Sequence, residues 1–252
     1  MLMIHNIRKE FFDLELANYR LTFDDGLFSQ YYYYPLFRKF ANEPIFFIAT
    51  SFIKPGKTRS VFDGEQHLGY TKSRKYMYDA FINGVFHHFM TIEEIQKISE
   101  EENVKIGVHS HFHDVILTRR FPHKKKPLSR WKLERYPYYS ESTKSRFSIR
   151  SKLAFQGYEY HNGRCVQRSE AEWLDYIKYD TETCLKWFEK YLGFSPSMYC
   201  FPFNEYNERL ISSLKSFGFN EFYNARPGTN GNIYPRLDID KLYEAYRNRR
   251  DG

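Results

Sequence analysis

The amino-acid sequence predicts an α/β fold in which mostly parallel strands are surrounded by helices, as an open sheet or a closed barrel. Strand-like and helical segments alternate along the chain, which is the order that produces parallel strands. Several strand-like segments are continuous apolar runs, as expected for strands covered on both faces. The length of 252 residues suits one such unit, so we predict a single domain over residues 1–252.

The first half of the chain contributes three predicted strands and two predicted helices. Residues 19–23 (YRLTF), 44–50 (PIFFIAT) and 104–110 (VKIGVHS) have the apolar character of strands. Helices are expected around residues 33–41 and over residues 91–102. The second of these helices begins with a Thr cap followed by Glu in its first turn, and its isoleucines recur at helical spacing.

The second half begins with the longest predicted helix, over residues 169–193. Ser169 caps its start, with Glu172 three residues later, and Gly193 ends it. A strand, a helix and two short strands follow, over residues 197–203, 204–219, 221–226 and 234–239. Strands and helices therefore continue to alternate as far as the two short strands that end the predicted fold.

Two long segments interrupt the alternation, at about residues 54–89 and 114–168. Segments of this length inside a compact fold are usually functional. Because the elements on either side pair sensibly without them, we interpret both segments as insertions into the α/β fold.

The second insertion contains a strongly basic segment, residues 119–152. It has 12 Lys and Arg residues against two Glu, a local net charge of +10, whereas the whole chain carries +7. Such a charge block is either a solvated loop or a surface for an anionic partner. An anionic glycan, a phosphorylated sugar, a membrane surface and a nucleic acid are the partners considered.

The composition is that of a globular protein, with 42% hydrophobic residues and an unusual content of 22 Tyr and 24 Phe. The first residues lack the continuous apolar core of a signal peptide, and no run of 18 apolar residues occurs. A cytoplasmic location without a membrane span is therefore expected. Cys165, Cys184 and Cys200 are odd in number and widely spaced, which argues against a disulfide framework.

Two adjacent carboxylates, Asp24 and Asp25, end the first predicted strand in the sequence LTFDDG. Asp and Gly are common turn formers, so one interpretation is a simple turn. The other interpretation is a metal or acid/base site, which requires partners elsewhere in the chain.

Suitable partners follow a later strand in the sequence IGVHSHFHD, where His109, His111 and His113 lie within five residues. All three imidazoles share a face in a continued strand, and His109 and His113 share one in a helical turn. Either geometry lets two imidazoles reach one ion. Parallel α/β folds hold ligands at the carboxyl ends of strands, which favours a metal site over a polar loop.

TFDDG followed by HSHFH resembles the first two signature motifs of the polysaccharide deacetylase family, the NodB-homology or carbohydrate esterase 4 group. The resemblance extends over about residues 21–239 and implies a distorted (β/α) barrel of NodB type. It implies that Asp25, His109 and His113 bind a divalent metal, which is Zn²⁺ in most members. Such a ligand set leaves an open position for water.

The same resemblance implies that Asp24 is the catalytic base. Metal binding lowers the pKa of water toward about 7, and Asp24 then takes a proton as that water attacks an acetamide carbonyl. Ser110 and His111 are expected to lie beside the ligands and to support them without binding the metal.

The segment CFPFNEYN, on a later predicted strand, is similar to the third motif of the same family. Three of its residues are expected to line the substrate groove: Pro202, Phe203 and Tyr206. The backbone N–H of Phe203 is the expected donor to the oxyanion. Many members have an Arg before this Pro that holds the base, whereas this chain has Cys200 and Phe201. Arg236, in YPRLDI, resembles an arginine of some divergent members and is expected to replace it.

The general acid of the family is a His in a Leu-x-His motif near the last strand, and no His follows His161 in this chain. His161 and His123, both in the second insertion, are the alternatives, although each is more typical of an exposed loop histidine than of a general acid. The remaining alternative is that the reaction has no general acid, which would lower the catalytic rate by about 10²- to 10⁴-fold.

The leading hypothesis is a metal-dependent hydrolase that removes acetyl groups from N-acetylated amino sugars of a glycan or a glycan precursor. The basic segment favours an anionic, lipid-linked or nucleotide-linked substrate. One alternative is a hydrolase of another non-peptide C–N bond. Another is a catalytically impaired glycan-binding protein on the same scaffold. Nucleic-acid binding is not expected, because no recognised motif accompanies the basic and aromatic residues.

Overall fold

A computed structural model of the chain describes residues 1–39, 43–119, 129–136, 147–225 and 233–250. Its main feature is a nearly closed sheet of eight parallel strands with helices around it. The predicted α/β barrel with mostly parallel strands is therefore confirmed.

The described strands are β1 (Leu2–Ile4), β2 (Leu21–Asp25), β3 (Ile45–Ile48), β4 (Lys105–Val108), β5 (Val115–Arg119), β6 (Phe147–Ser151), β7 (Tyr158–His161), β8 (Arg164–Gln167), β9 (Met198–Cys200), β10 (Glu221–Asn224), β11 (Ile233–Pro235) and β12 (Leu237–Asp238). The described helices are α1 (Phe28–Tyr32), α2 (Tyr34–Phe37), α3 (Ser73–Asn83), α4 (Ile92–Ser99), α5 (Arg130–Arg135), α6 (Glu170–Leu192), α7 (Glu208–Ser216) and α8 (Ile239–Arg250). The barrel strands lie in the order β11-β10-β9-β4-β3-β2-β1-β12.

One short segment closes the barrel. Strand β11 pairs with β10 at one edge of the sheet. Strand β12 begins after a single intervening residue and pairs with β1 at the opposite edge. Between them, the N–H of Arg236 donates to the carbonyl of Asn224 at 2.8 Å, and the N–H of Leu237 donates to that of Met1 at 2.9 Å. The sheet thus meets itself at Arg236.

Both faces of the barrel strands are buried, which explains their continuous apolar runs. On the helix side, the rings of Phe23 and Phe46 stack with their centroids 4.7 Å apart. Inside the barrel, Phe47 and Tyr223 belong to a separate buried cluster. Gly107 of β4 faces Phe47 so closely that a Cβ atom there would lie 2.7 Å from its ring. The narrow interior therefore accommodates only glycine at this position without rearrangement.

The helix boundaries predicted from capping patterns are confirmed. Thr91 and Glu94 form a capping box at the start of α4, and Ser169 and Glu172 form one at the start of α6. Gly193 ends α6 in the left-handed conformation, with φ of 74°. Of the helices within the described ranges, none combines the length and the apolar character needed to cross a membrane. The cytoplasmic location stays a prediction.

The two insertions contain elements that the sequence patterns did not predict. The first holds α3, and the second holds α5 and a four-stranded antiparallel sheet in the order β6-β5-β7-β8. The flanking strands β3, β4 and β9 are direct neighbours in the barrel, as expected for insertions. Strands β7 and β8 are four residues long and contain no fully buried residue, so they lack a strong apolar signal. His123 and most of the basic segment lie outside the described residues.

Candidate active site

The carboxyl ends of β2 and β4 bring the three predicted metal ligands together. The carboxylate Oδ1 of Asp25 lies 3.4 Å from Nε2 of His109 and 3.6 Å from Nε2 of His113. All three side chains are buried, and one ligand atom from each lies within 4.8 Å of the other two. Two imidazoles and one carboxylate in this arrangement are a ligand set for a divalent cation.

An unsatisfied carboxylate oxygen supports the fit of such a cation. Among the described residues, Asp25 Oδ1 is buried without a hydrogen-bond partner, which is costly in a folded protein, and a cation between Asp25 and the two Nε2 atoms would satisfy it. Nδ1 of His109 donates to the carbonyl oxygen of Cys200 at 3.0 Å. This hydrogen bond leaves the lone pair of His109 Nε2 facing Asp25, as in metal-binding histidines.

The electrostatics of the cluster agree with this assignment. Burial lowers the pKa of His109, and it lowers the pKa of His113 well below the usual value, with further contributions from His109 and Lys132. Both imidazoles are therefore neutral at pH 7, which is the form that binds metals. Burial raises the pKa of Asp25. A bound cation would offset the cost of burying this carboxylate.

The backbone at the cluster is strained. Asp25, Ser110 and His113 adopt left-handed conformations, with φ of 74°, 65° and 50°. Each such non-glycine residue costs on the order of 1–3 kcal/mol and persists only where its surroundings hold it. At this site, the N–H of His113 donates to the hydroxyl Oγ of Ser110 at 2.8 Å.

A buried carboxylate, Asp180 of α6, holds the loop between His109 and His113. It accepts the N–H groups of His111 at 3.1 Å and Phe112 at 2.9 Å. The His111 ring points instead to Thr50, with 2.7 Å between Nδ1 and Oγ1. The sequence patterns did not identify Asp180. The sequence feature that could have identified it is its position three residues after Ile177, which places an acidic side chain on the buried face of α6.

Asp24 lies beside the cluster and is held by Arg236. Two hydrogen bonds join them, Nη1 to Oδ1 at 2.6 Å and Nη2 to Oδ2 at 2.9 Å, and both side chains are buried. Burial alone would raise the pKa of Asp24, but the charge of Arg236, with a contribution from His109, lowers it to about 2. Asp24 is therefore ionised at neutral pH, and Arg236 lies where the sequence analysis expected a replacement arginine.

A second group, Asp24, His109 and Cys200, also has its ligand atoms close together. Here Asp24 is already engaged by Arg236, which also donates from Nη2 to Cys200 Sγ at 2.8 Å. Burial raises the pKa of the Cys200 thiol, so it stays protonated and is a poor metal ligand. The Asp25 cluster is thus the better cation site.

A pocket of about 220 Å³ opens over these residues and is lined by Asp24, Asp25, His109 and His113. Strand ends and the loop after β9 contribute His5, Phe201, Phe203 and Asn204 to its wall. The two insertions contribute Ser73, Arg74, Met77, Ser129, Trp131 and Lys132. The insertions therefore complete the pocket that the barrel begins.

Of the three third-motif residues predicted to line the substrate groove, Phe203 lines the described pocket, whereas Pro202 and Tyr206 are not among its lining residues. The Phe203 ring lines it, with its centroid 4.4 Å from that of His113, and the Phe203 backbone is left-handed with φ of 60°. Pro202 is buried, and the Tyr206 ring stacks on Phe201 at 4.9 Å. The backbone role of Phe203 stays a prediction.

His5, which no sequence pattern indicated, lies in the pocket beside Asp24. It follows β1, lines the pocket, and places Nε2 3.9 Å from Oδ2 of Asp24. Its side chain is 34% exposed. His161, the predicted acid, lies at the end of β7 with 64% of its side chain exposed, and its Nε2 is 3.5 Å from Glu159 Oε2. It is not among the residues that line the described pocket.

The α/β barrel of this chain resembles solved structures of deacetylases. The chain is similar to the deacetylase domain of BpsB from Bordetella bronchiseptica, with 18% identity and a TM-score of 0.57 over 86% of this chain and 69% of that one. It is also similar to a de-N-acetylase from Aggregatibacter actinomycetemcomitans, with 16% identity and a TM-score of 0.58 over 98% and 82%.

These similarities confirm that the chain has the fold of polysaccharide deacetylases, as the two motifs implied. No family model and no curated protein matches the sequence. At these low identities the activity rests on the residues of the site.

We expect the wild-type protein to bind about one Zn²⁺ per chain through the Asp25 cluster, and Asp25→Ala or His113→Gln to lose most of it, because two ligands rarely retain zinc. Elemental analysis after dialysis measures the ion content. His161→Gln is the matched control, since it removes an exposed imidazole away from the cluster. Equal zinc content in all four proteins would contradict the site.

Proposed function

We propose that this protein is a metal-dependent hydrolase that removes acetyl groups from N-acetylated amino sugars of a glycan or a glycan precursor. The observation that carries the proposal is the buried cluster of Asp25, His109 and His113 beside Asp24, a second carboxylate kept ionised by Arg236. Zn²⁺ is the proposed ion, because two imidazoles and one carboxylate are typical of catalytic zinc. The shared fold with a de-N-acetylase supports the choice of substrate.

A divalent cation held by Asp25, His109 and His113 would supply Lewis acidity, which lowers the pKa of water and polarises a carbonyl. Asp24 then accepts the proton of the water that attacks the acetamide carbon. Each of its oxygens accepts one hydrogen bond from Arg236, and the single S–H of Cys200 lies 3.7 Å from both, so at least one oxygen keeps a lone pair for this proton. The backbone N–H of Phe203 is the proposed donor to the developing oxyanion.

We assign the second proton transfer to His5. As the C–N bond breaks, the leaving nitrogen needs a proton, and His5 lines the pocket on the Asp24 side. Its partial exposure lets it exchange protons with water, and the 3.9 Å separation from Asp24 leaves both groups able to face the substrate. The products are acetate and a free amino sugar.

Acetate release tests the proposed activity directly. Oligomers of N-acetylglucosamine should yield equal amounts of acetate and free amine, and a chelator should stop the reaction until Zn²⁺ is restored. If zinc-loaded protein released no acetate from N-acetylated or O-acetylated sugars, the hydrolase would be excluded and a glycan-binding role favoured.

A separate experiment tests His5. His5→Gln is expected to slow deacetylation of the sugar amide by about 10²- to 10⁴-fold, because an amine leaves poorly without a proton. Hydrolysis of 4-nitrophenyl acetate, whose leaving group needs no acid, should fall far less. His161→Gln should behave as wild type on both substrates. Equal losses on both substrates would show that His5 is not the acid.

A further inference from the structure

Two basic side chains reach the pocket from different insertions. Arg74 is the second residue of α3, Lys132 lies in α5, and both line the same pocket as the metal cluster. Packing between the helices brings them together, since the Phe81 and Trp131 rings stack with centroids 4.6 Å apart. The tertiary structure thus collects positive charge at a place where the sequence shows only two distant residues.

Lys132 lies close to the metal cluster. Its Nζ is 4.0 Å from the centre of the Phe203 ring, and that ring lies 4.4 Å from the ring of His113. Lys132 therefore places a positive charge beside the candidate cation site, where an anionic substituent of a bound ligand would be attracted to it.

Arg74 occupies a position that is unfavourable for a cation. The first turn of α3 contains no acidic residue, although helix starts favour negative charge. The adjacent Lys75 is neutralised by Asp79, with 3.3 Å between Nζ and Oδ2. The Arg74 side chain, by contrast, makes no ion pair or hydrogen bond with any residue in the described ranges. Its guanidinium is available to a ligand in the pocket.

We propose that Arg74 and Lys132 form a subsite for a negatively charged group, a carboxylate or a phosphate, carried by the N-acetylated sugar that the enzyme hydrolyses. The inference rests on the proposed function and specifies its substrate class. Arg and Lys are the side chains that bind such oxyanions, and the Ser73 and Ser129 hydroxyls line the same pocket as neutral donors.

The positions of the candidate metal cluster and of the basic side chains also set the orientation of the substrate. Asp24 and the Asp25 cluster act on the acetamide, whereas Arg74 and Lys132 attract an anion. The acetamide therefore faces the barrel, and the anionic substituent faces α3 and α5.

The test compares ligands that differ in charge. Zinc-loaded protein is titrated by calorimetry with N-acetylglucosamine, N-acetylglucosamine 6-phosphate and N-acetylmuramic acid. We expect at least one anionic ligand to bind about tenfold or more tightly than the neutral sugar, since hydrogen bonds to charged groups are worth this much. Whether the phosphate or the carboxylate is preferred identifies the group that the subsite takes.

Arg74→Met and Lys132→Met should each reduce this preference by about tenfold, with zinc content unchanged. Lys75→Met is the matched control, because it removes one charge from the same helix outside the pocket. Equal binding of charged and neutral sugars would overturn the subsite, as would a Lys132→Met variant that loses turnover of the neutral sugar with its charge preference intact. In either case, acetate release from the neutral sugar by the wild-type protein would leave the proposed function standing.

Discussion

Asp24→Asn is expected to lower kcat for acetate release by about 10²- to 10⁴-fold while Zn²⁺ binding is retained. The amide has the size of the carboxylate and still accepts a hydrogen bond from Arg236, but it cannot take a proton from water. The Asp25 cluster is left unchanged by this substitution. Turnover of N-acetylated oligomers and zinc content are measured on the same preparation.

The neighbouring carboxylate provides the control. Asp25→Asn should lose both zinc and activity, whereas Asp24→Asn should lose activity alone, which separates the two roles within one dipeptide. If Asp24→Asn kept more than about a tenth of the wild-type rate, a general base there would be excluded. Activity would then depend on a proton acceptor elsewhere in the pocket.

Arg236→Met is expected to reduce the free energy of unfolding by about 3–5 kcal/mol, because it leaves the Asp24 carboxylate buried without its cation. Urea unfolding of the metal-free protein at pH 7 measures the loss. The double variant Arg236→Met/Asp24→Asn should be less destabilised than Arg236→Met, since no unpaired charge remains. Equal destabilisation of the two would show that packing at the barrel closure, rather than charge, causes the effect.

The pH dependence gives an independent readout of this pair. The pKa of Asp24 is about 2 in the folded protein against 3.8 for the free group, so its stabilising contribution is present above pH 3.8 and is lost as the pH falls through about 2. Without Arg236, burial raises the pKa of Asp24 instead. The stability difference between wild type and Arg236→Met should therefore shrink as the pH falls.

The metal cluster could be predicted because its residues directly follow strong apolar strands. Asp25 ends β2, and His109 follows β4, so the rule that parallel strands present ligands at their carboxyl ends was enough. His5 follows the same rule, but β1 has only three residues and too short an apolar run to be recognised. Because β1 was not predicted, His5 was not recognised as a residue at the carboxyl end of a strand.

Arg236 was expected only from the resemblance, since β11 and β12 have three and two residues and carry little pattern. Asp180 was missed because the amphipathic pattern of α6 predicts a helix but does not show which loop a buried carboxylate of that helix contacts. Arg74 and Lys132 share a pocket only through packing between two insertions. Contacts of this kind leave no periodicity in a single sequence.

The closing segment of the barrel links assembly to catalytic competence. Arg236 lies 212 residues after Asp24 in the chain, and it reaches the base only when β11 and β12 have paired with β10 and β1. A nascent chain therefore carries all three proposed metal ligands long before Asp24, the proposed base, is oriented and kept ionised by Arg236. Fraying of these two short strands would likewise release Asp24 while leaving Asp25, His109 and His113 in place.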